Sequence, residues 1–436
     1  MDPESVKAFL AIAAIIFIGF FGNLIFTRFR VPDVLLLIAL GMIIGPDLLG
    51  GAFNLVTIGT LDRIDDYRDF FLTAALVLIL FDGGLNLNIK SVMQSMRLAS
   101  FTTVLTLFLE IVLVALALHF FMNVDILLSL VVGTIIGGTG EAVVIPIVNK
   151  MRIREETRAM LVIESVISDV LVIVIAITLM SVIALGDFNA MDVVWELAVK
   201  FTVGGVIGFA AGIAWLFVLQ RLQNQPLSYM ITVAALFLVA GFVEIDPINS
   251  SSAVAALMFG LAVGNRRFVK HWLTSVTLRL STDEHIHEFH SEISFFVRTF
   301  FYVYLGLLFR FATFEATHLV LGIGIIAIIV IVRRGTSQLA AKLGNLDKGD
   351  ADAMFAMMPR GLAAAVLATM PAVLLATDEN ISSGLWKGSY EQLILNIVLI
   401  VILGTTILAT ILSFATERRI DMRERKALRK KLSEAP

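Results

Sequence analysis

The sequence predicts an all-α polytopic membrane protein with about 13 transmembrane helices. Three observations carry that expectation. Of the 436 residues, 58% are hydrophobic and only 16% are charged, whereas an ordinary soluble domain is about 45–50% apolar and about 25% charged. Apolar runs of about 20 residues, the length that spans a bilayer as a helix, recur along almost the whole chain. Basic residues gather in alternate loops, as they do where one side of a membrane protein faces the cytoplasm. The composition excludes a disordered chain and argues against a soluble enzyme. With no cysteine, there is no disulfide, thiolate or cysteine metal chemistry. The net charge of −3 gives no reason to expect a nucleic-acid partner.

Hydropathy places the spans at roughly 7–28, 32–47, 70–87, 98–121, 126–149, 158–184, 192–220, 227–243, 250–265, 290–311, 316–334, 351–376 and 389–416. The start, MDPESVK, is acidic and no small-residue cleavage site follows the first run, so that run reads as a retained helix rather than a signal peptide. An odd count puts the termini on opposite sides. The tail, 417–436, carries Arg418, Arg419, Arg423, Arg425, Lys426, Arg429, Lys430 and Lys431, so the C-terminus is expected in the cytoplasm and the N-terminus outside. Counting alternate loops from there gives the cytoplasmic side 25 of the 33 Lys and Arg residues, Arg333 and Arg334 among them. A wrong span count would scramble that bias.

Glycines hint at an internal repeat. Gly41 and Gly45 lie 219 positions before Gly260 and Gly264, and Gly84 and Thr139 lie 222 before Gly306 and Gly361. Two related six-helix units joined by the seventh span would produce these registers, and the second and ninth spans would then run oppositely. Such inverted repeats build many secondary transporters, with the substrate held near the midplane by interrupted helices. Two candidate interruptions occupy matching places. The fifth span reads GTIIGGTGEAVV around Thr139, and the twelfth reads MMPRGLAAAV, with Pro359, Arg360 and Gly361 together. Glycine weakens helix and proline removes a hydrogen bond. A glycine-rich packing seam with a proline kink is the plainer alternative.

Ionisable groups at bilayer depth are rare and functional by default. The sixth span, VIESVISDVLVIV, holds Glu164 and Asp169. Ser165 and Asp169 lie about 40° apart on one helical face, offering a hydroxyl and a carboxylate as hard oxygen ligands for a small cation. Glu164 and Ser168 form a second such pair on a neighbouring face. Arg360 is the natural partner of Glu164, since arginine holds a carboxylate bidentately, and this leaves Asp169 without a cation. A buried carboxylate of that kind can hold a proton or a metal cation but not both well, which is the requirement for exchange. Glu141 is expected near the same site. Asp82 serves proton access from the cytoplasm or merely ends a solvated helix. Glu110 and Arg298 are further intramembrane charges without assigned partners, while Glu196 and Lys200 are expected to satisfy each other. His285, His287 and His290 in DEHIHEFHSE read either as a metal or pH-sensing loop or as a solvated lead-in to the tenth span.

ESVISD resembles the ESxxND stretch of the monovalent cation:proton antiporter superfamily, in its prokaryotic sodium/proton exchanger branch. VPDVLLLIALGMIIGP, LFDGGLNL, FFVRTFFYVYLGLLF and MMPRGLAAAVLA resemble its recurring segments in the same order. The resemblance implies a homodimer in the cell membrane of a prokaryote, helices five and twelve crossing, and alternating access at one cation site. It implies an ion-translocating core of roughly 70–184 and 290–376, with scaffold and dimerisation helices at roughly 7–47, 192–265 and 389–416. Carried over by position, Asp169 is the cation- and proton-binding aspartate, Ser165 and Thr139 offer oxygens to the ion, Glu164 and Arg360 form a structural ion pair, and Asp82 stands where relatives often carry an acid. Two departures stand out. Thr139-Gly140-Glu141 replaces a common Thr-Asp-Pro, and Ser168 stands where Asn is usual. A single site aspartate favours electroneutral exchange of sodium, or of potassium or lithium, for protons. No cofactor is expected. The alternative is a cation channel or potassium-efflux-type transporter; an intramembrane enzyme is disfavoured because no GxSG, HExxH or GxGD pattern occurs.

Overall fold

The structure is a computed structural model and describes residues 32–52, 89–185, 190–222, 228–266, 299–376 and 385–433, with scattered positions elsewhere. All regular structure among the described residues is helical. In chain order the helices are α1 (Asp33–Ile44), α2 (Ile89–Met122), α3 (Ile126–Gly137), α4 (Glu141–Lys150), α5 (Glu155–Leu185), α6 (Ala190–Arg221) and α7 (Ser228–Glu244). They continue with α8 (Ser252–Gly264), α9 (Thr299–Leu308), α10 (Ala316–Leu343), α11 (Lys348–Ala356), α12 (Leu362–Leu367), α13 (Met370–Leu375) and α14 (Gly388–Ser433). Six described segments are long and apolar enough to cross a membrane, and five shorter apolar helices accompany them. All but four residues of the first predicted span, the loops near 53–69 and 267–289, Arg298 and the three histidines of the 285–290 loop lie outside the described residues.

Polarity is distributed as a bilayer demands. Phe108, Phe120, Phe121, Leu238, Val320 and Ile331 point outward, while Glu110, Glu164, Asp169, Arg333 and Arg360 are buried. Lipid solvates the apolar exterior, and the charges can persist only where protein groups satisfy them. Helix starts are fixed by short polar side chains that accept otherwise unpaired backbone N–H groups. Asp125 accepts from Leu127 at the start of α3, Ser251 from Val254 at α8, and Asp347 from Gly349 and Asp350 at α11.

Helices meet closely where glycines leave room. A Cβ on Gly41 would lie 2.1 Å from the Val303 carbonyl oxygen, and one on Gly306 would lie 2.3 Å from that of Ile38, so α1 and α9 touch backbone to backbone. The stretch holding Gly84 meets α8 the same way: a Cβ on Gly84 would sit 2.1 Å from the Leu257 oxygen, and one on Gly260 2.3 Å from that of Phe81. These four glycines are the ones related by register in the sequence, Gly41 to Gly260 and Gly84 to Gly306, but the contacts join Gly41 with Gly306 and Gly84 with Gly260.

Around the site, α2 packs on α3 and α5, α10 lies between α2 and α14, and α6, α7 and α8 pack together alongside. The last helix, α14, grouped with the scaffold on sequence grounds, lies against α10, α11 and α12.

Candidate functional site

Both suspected interruptions are real breaks. The helix stops at Gly137, leaves Gly138, Thr139 and Gly140 non-helical, and resumes at Glu141. The second stops at Ala356, leaves 357–361 non-helical, and resumes at Leu362. The two breaks cross at glycine. A Cβ on Gly140 would fall 2.2 Å from Gly361 Cα, and one on Gly361 would fall 2.4 Å from Gly140 Cα. The Gly140 N–H donates to the Pro359 carbonyl at 2.8 Å, tying the two strands of open backbone together. This crossing leaves no room for any side chain at 140, the position where the resemblance led one to expect an aspartate. The carboxylate contribution to the crossing therefore comes from α5.

Asp169 supplies it. It is buried on α5, and its Oδ2 accepts the Glu141 N–H at 3.3 Å, so its charge faces the first backbone N–H of α4, the positive end of that half-helix. Glu141 itself is half-buried at that end. Ser168 knits the open turn to α5: its hydroxyl accepts the Thr139 N–H at 3.1 Å, lies 2.9 Å from Thr139 Oγ1, and reaches the Ser165 carbonyl at 2.9 Å. The Ser165 hydroxyl donates to the Val162 carbonyl at 2.9 Å, which leaves its oxygen lone pairs available to a ligand. Thr139, Ser165, Ser168 and Asp169 are all buried. The structure thus brings the Thr139 and Ser168 hydroxyls and the Asp169 carboxylate to the open turn, while the Ser165 hydroxyl bonds back to its own helix. Asp82 is half-buried beside the Gly84 contact with α8, on a separate element.

The expected Glu164–Arg360 ion pair is not formed. Glu164 pairs bidentately with Arg333, whose Nη1 meets Oε1 while Nη2 reaches Oε2 at 3.1 Å. Arg333 also donates from Nε to the Met354 carbonyl at 2.9 Å. Arg360 instead contacts Glu110 of α2 at 2.8 Å and donates from Nη1 to the Gly138 carbonyl at 3.0 Å. Its backbone N–H reaches Thr405 Oγ1 of α14 at 3.1 Å.

The physical reason for the correction is helix length. Hydropathy ends the eleventh span at about 334, which places Arg333 in a cytoplasmic loop, but α10 runs on to Leu343 and holds Arg333 buried in its interior. Two buried arginines then pair with two buried glutamates, Arg333 with Glu164 and Arg360 with Glu110. Glu110 was visible as an unassigned intramembrane charge, and its helix face carries a further clue: Thr102 and Thr106 precede it at four-residue steps and all three are buried.

A buried carboxylate facing the start of a half-helix, with the joined Thr139 and Ser168 hydroxyls at the same turn, is a set of hard oxygen groups of the kind that suits a small cation. The sodium/hydrogen exchanger transmembrane family matches residues 12–416, and the chain belongs to that family. Among curated proteins, it is 27% identical over 267 residues to the K(+)/H(+) antiporter NhaP of Alkalimonas amylolytica, a match covering 59% of this chain and 44% of that protein. It is 25% identical over 313 residues to the probable Na(+)/H(+) antiporter 2 of Methanocaldococcus jannaschii, covering 69% of each. The chain thus spans about half the length of the NhaP relative. Among solved structures, the sodium proton antiporter MjNhaP1 of M. jannaschii superposes with a TM-score of 0.77 at 19% identity, over 94% of this chain and 99% of that one, which establishes the fold.

Proposed function

We propose that the protein is a secondary antiporter that exchanges a monovalent cation for protons by alternating access at Asp169. The observation that carries the reading is the contrast on α5 between a glutamate matched by arginine and an aspartate that, among the described residues, takes its hydrogen bond from a backbone N–H. A proton or a desolvated cation can complete the charge of Asp169 in turn, and each excludes the other. Thr139 and Ser165 would supply further oxygens to the ion, with Ser168 holding the open turn in place. Glu164 and Arg333, rather than Glu164 and Arg360, serve as the structural pair. One titratable site carboxylate implies one proton for one cation, hence electroneutral exchange. Sodium is the first candidate, with potassium and lithium as competitors, since the relatives' names cite both sodium and potassium.

The reading includes 13 spans in two inverted repeats, supported by the reciprocal glycine contacts: α1 against α9, and the Gly84 stretch against α8, are the same contact with the repeats interchanged. It includes a homodimer in a prokaryotic cell membrane, the C-terminus cytoplasmic, and a core of 70–184 and 290–376 moving against the scaffold. Because α14 touches α10, α11 and α12, that motion has to run along this helix.

Proteoliposomes with a trapped pH dye test the reading. Sodium, potassium or lithium gradients should drive a pH change that persists when the membrane voltage is clamped and vanishes in Asp169→Asn. A cation-driven conductance without proton movement would instead indicate a channel, and full exchange in Asp169→Asn would overturn the site.

A further inference from the structure

Arg360 is fully buried at the helix crossing, with its guanidinium on the Gly138 carbonyl of the open turn. Its guanidinium holds the Gly138 carbonyl on one side of the 138–141 turn while Asp169 holds the Glu141 N–H on the other. The two side chains thus grip opposite ends of one four-residue turn. An arginine so placed is a permanent rival of any transported cation, because it can draw on the same carboxylate. Glu110 stands opposite, buried on α2, with Arg360 as the cation in contact with it among the described residues.

We infer that Glu110 sets the cation affinity of the site from a distance, as the counter-charge that keeps Arg360 from competing with the ion for Asp169. The inference rests on the reading of Asp169 as the cation site. Glu110 is a positioning residue in this scheme: it touches neither ion nor proton. Its carboxylate neutralises Arg360 and pulls the guanidinium toward α2, and the site is left with a single negative charge to offer. Among the described residues, the other charged groups around are the Glu164–Arg333 pair, which is internally balanced, and Glu141 at the start of α4.

The sign of the effect follows from charge. Without Glu110, the positive charge of Arg360 is uncompensated. It repels the entering cation and also favours the ionised form of Asp169 over the protonated one. Both ligands bind more weakly. In Glu110→Gln, the sodium concentration for half-maximal exchange should rise about tenfold and the pH profile should move about one unit toward acid. In Glu110→Gln/Arg360→Gln, where rival and counter-charge leave together, both quantities should return toward wild type even if the maximal rate does not. A role of Glu110 in packing alone would lower the rate or the amount of folded protein and leave half-saturation and pH profile where they were.

Sodium-dependent exchange in proteoliposomes, read as half-saturation and pH profile, decides between these. Unchanged half-saturation in folded Glu110→Gln, or no recovery in the double variant, overturns the inference. If Glu110→Gln is recovered unfolded, Glu110→Asp takes its place: its shorter arm draws back from Arg360 and should shift both quantities in the same direction by less, and no shift overturns the proposal. The parent reading fails separately, through wild-type protein that exchanges no cation or Asp169→Asn that still does.

Discussion

Glu164 and Asp169 stand five residues apart on one buried helix, and their surroundings differ completely. Glu164 is clasped by the Arg333 guanidinium, which is itself anchored on the Met354 carbonyl. Asp169 has a backbone N–H and, among the described residues, no arginine in contact. A charge-matched carboxylate in a low-dielectric interior is locked, because protonating it would strand the arginine. A carboxylate held by a helix end is stabilised only in part, so a proton or a cation changes its state at modest cost. The contrast teaches that burial alone does not make a transport site. What matters is burial without a resident cation.

The largest expected effect that would break this comparison is on Asp169. Asp169→Asn should abolish exchange while leaving the protein folded and its thermal unfolding close to wild type, since the amide keeps an acceptor for the Glu141 N–H. Glu164→Gln should do the reverse in kind. It strands Arg333 and should cost about 3–5 kcal/mol of stability, with Glu164→Gln/Arg333→Gln recovering much of that loss. Thermal unfolding in detergent reads both. If the two single variants gave the same phenotype, the distinction between locked and exchangeable carboxylate would fall.

Next comes the crossing itself. Gly140→Ala places a methyl group where Gly361 Cα lies only 2.2 Å away, so the helices must separate. About 1–3 kcal/mol of destabilisation is expected from such overpacking, together with slowed exchange as the Asp169–Glu141 contact shifts. Gly324→Ala, at a position with nothing within 4 Å of a new Cβ, is the matched control and should be silent. The smallest effect is expected at the base of the tail. Arg419 and Arg334 share Asp352 at 3.5 and 3.4 Å on an exposed surface, and Arg419→Ala should change stability by about 0–1 kcal/mol.

The two breaks, and Asp169 as a buried carboxylate beside one of them, were legible in the sequence because glycine, proline and intramembrane charge are conspicuous against an apolar background. The glycines that make these close contacts stood out in the sequence by their spacing alone, and which of them touch was not legible there. The ion-pair partners were not. An arginine side chain reaches several ångströms from its helix, and hydropathy ends a span at the first charges it meets, which misplaced Arg333 in a loop although α10 continues past it to Leu343. Glu110 was read as a charge without a role for a related reason: its partner lies 250 positions away, and nothing local to α2 names it. Nor could the chain alone say why Gly140 replaces a common aspartate; only the crossing with Gly361 gives that a steric reason.

The central claim is that one group, Asp169, binds either a proton or a cation. The most direct test is proton release on cation binding. Sodium added to the purified protein in weakly buffered solution should release about one proton for each sodium bound, and Asp169→Asn should bind no sodium and release none. Sodium binding without proton release, or undiminished release from Asp169→Asn, would contradict the account.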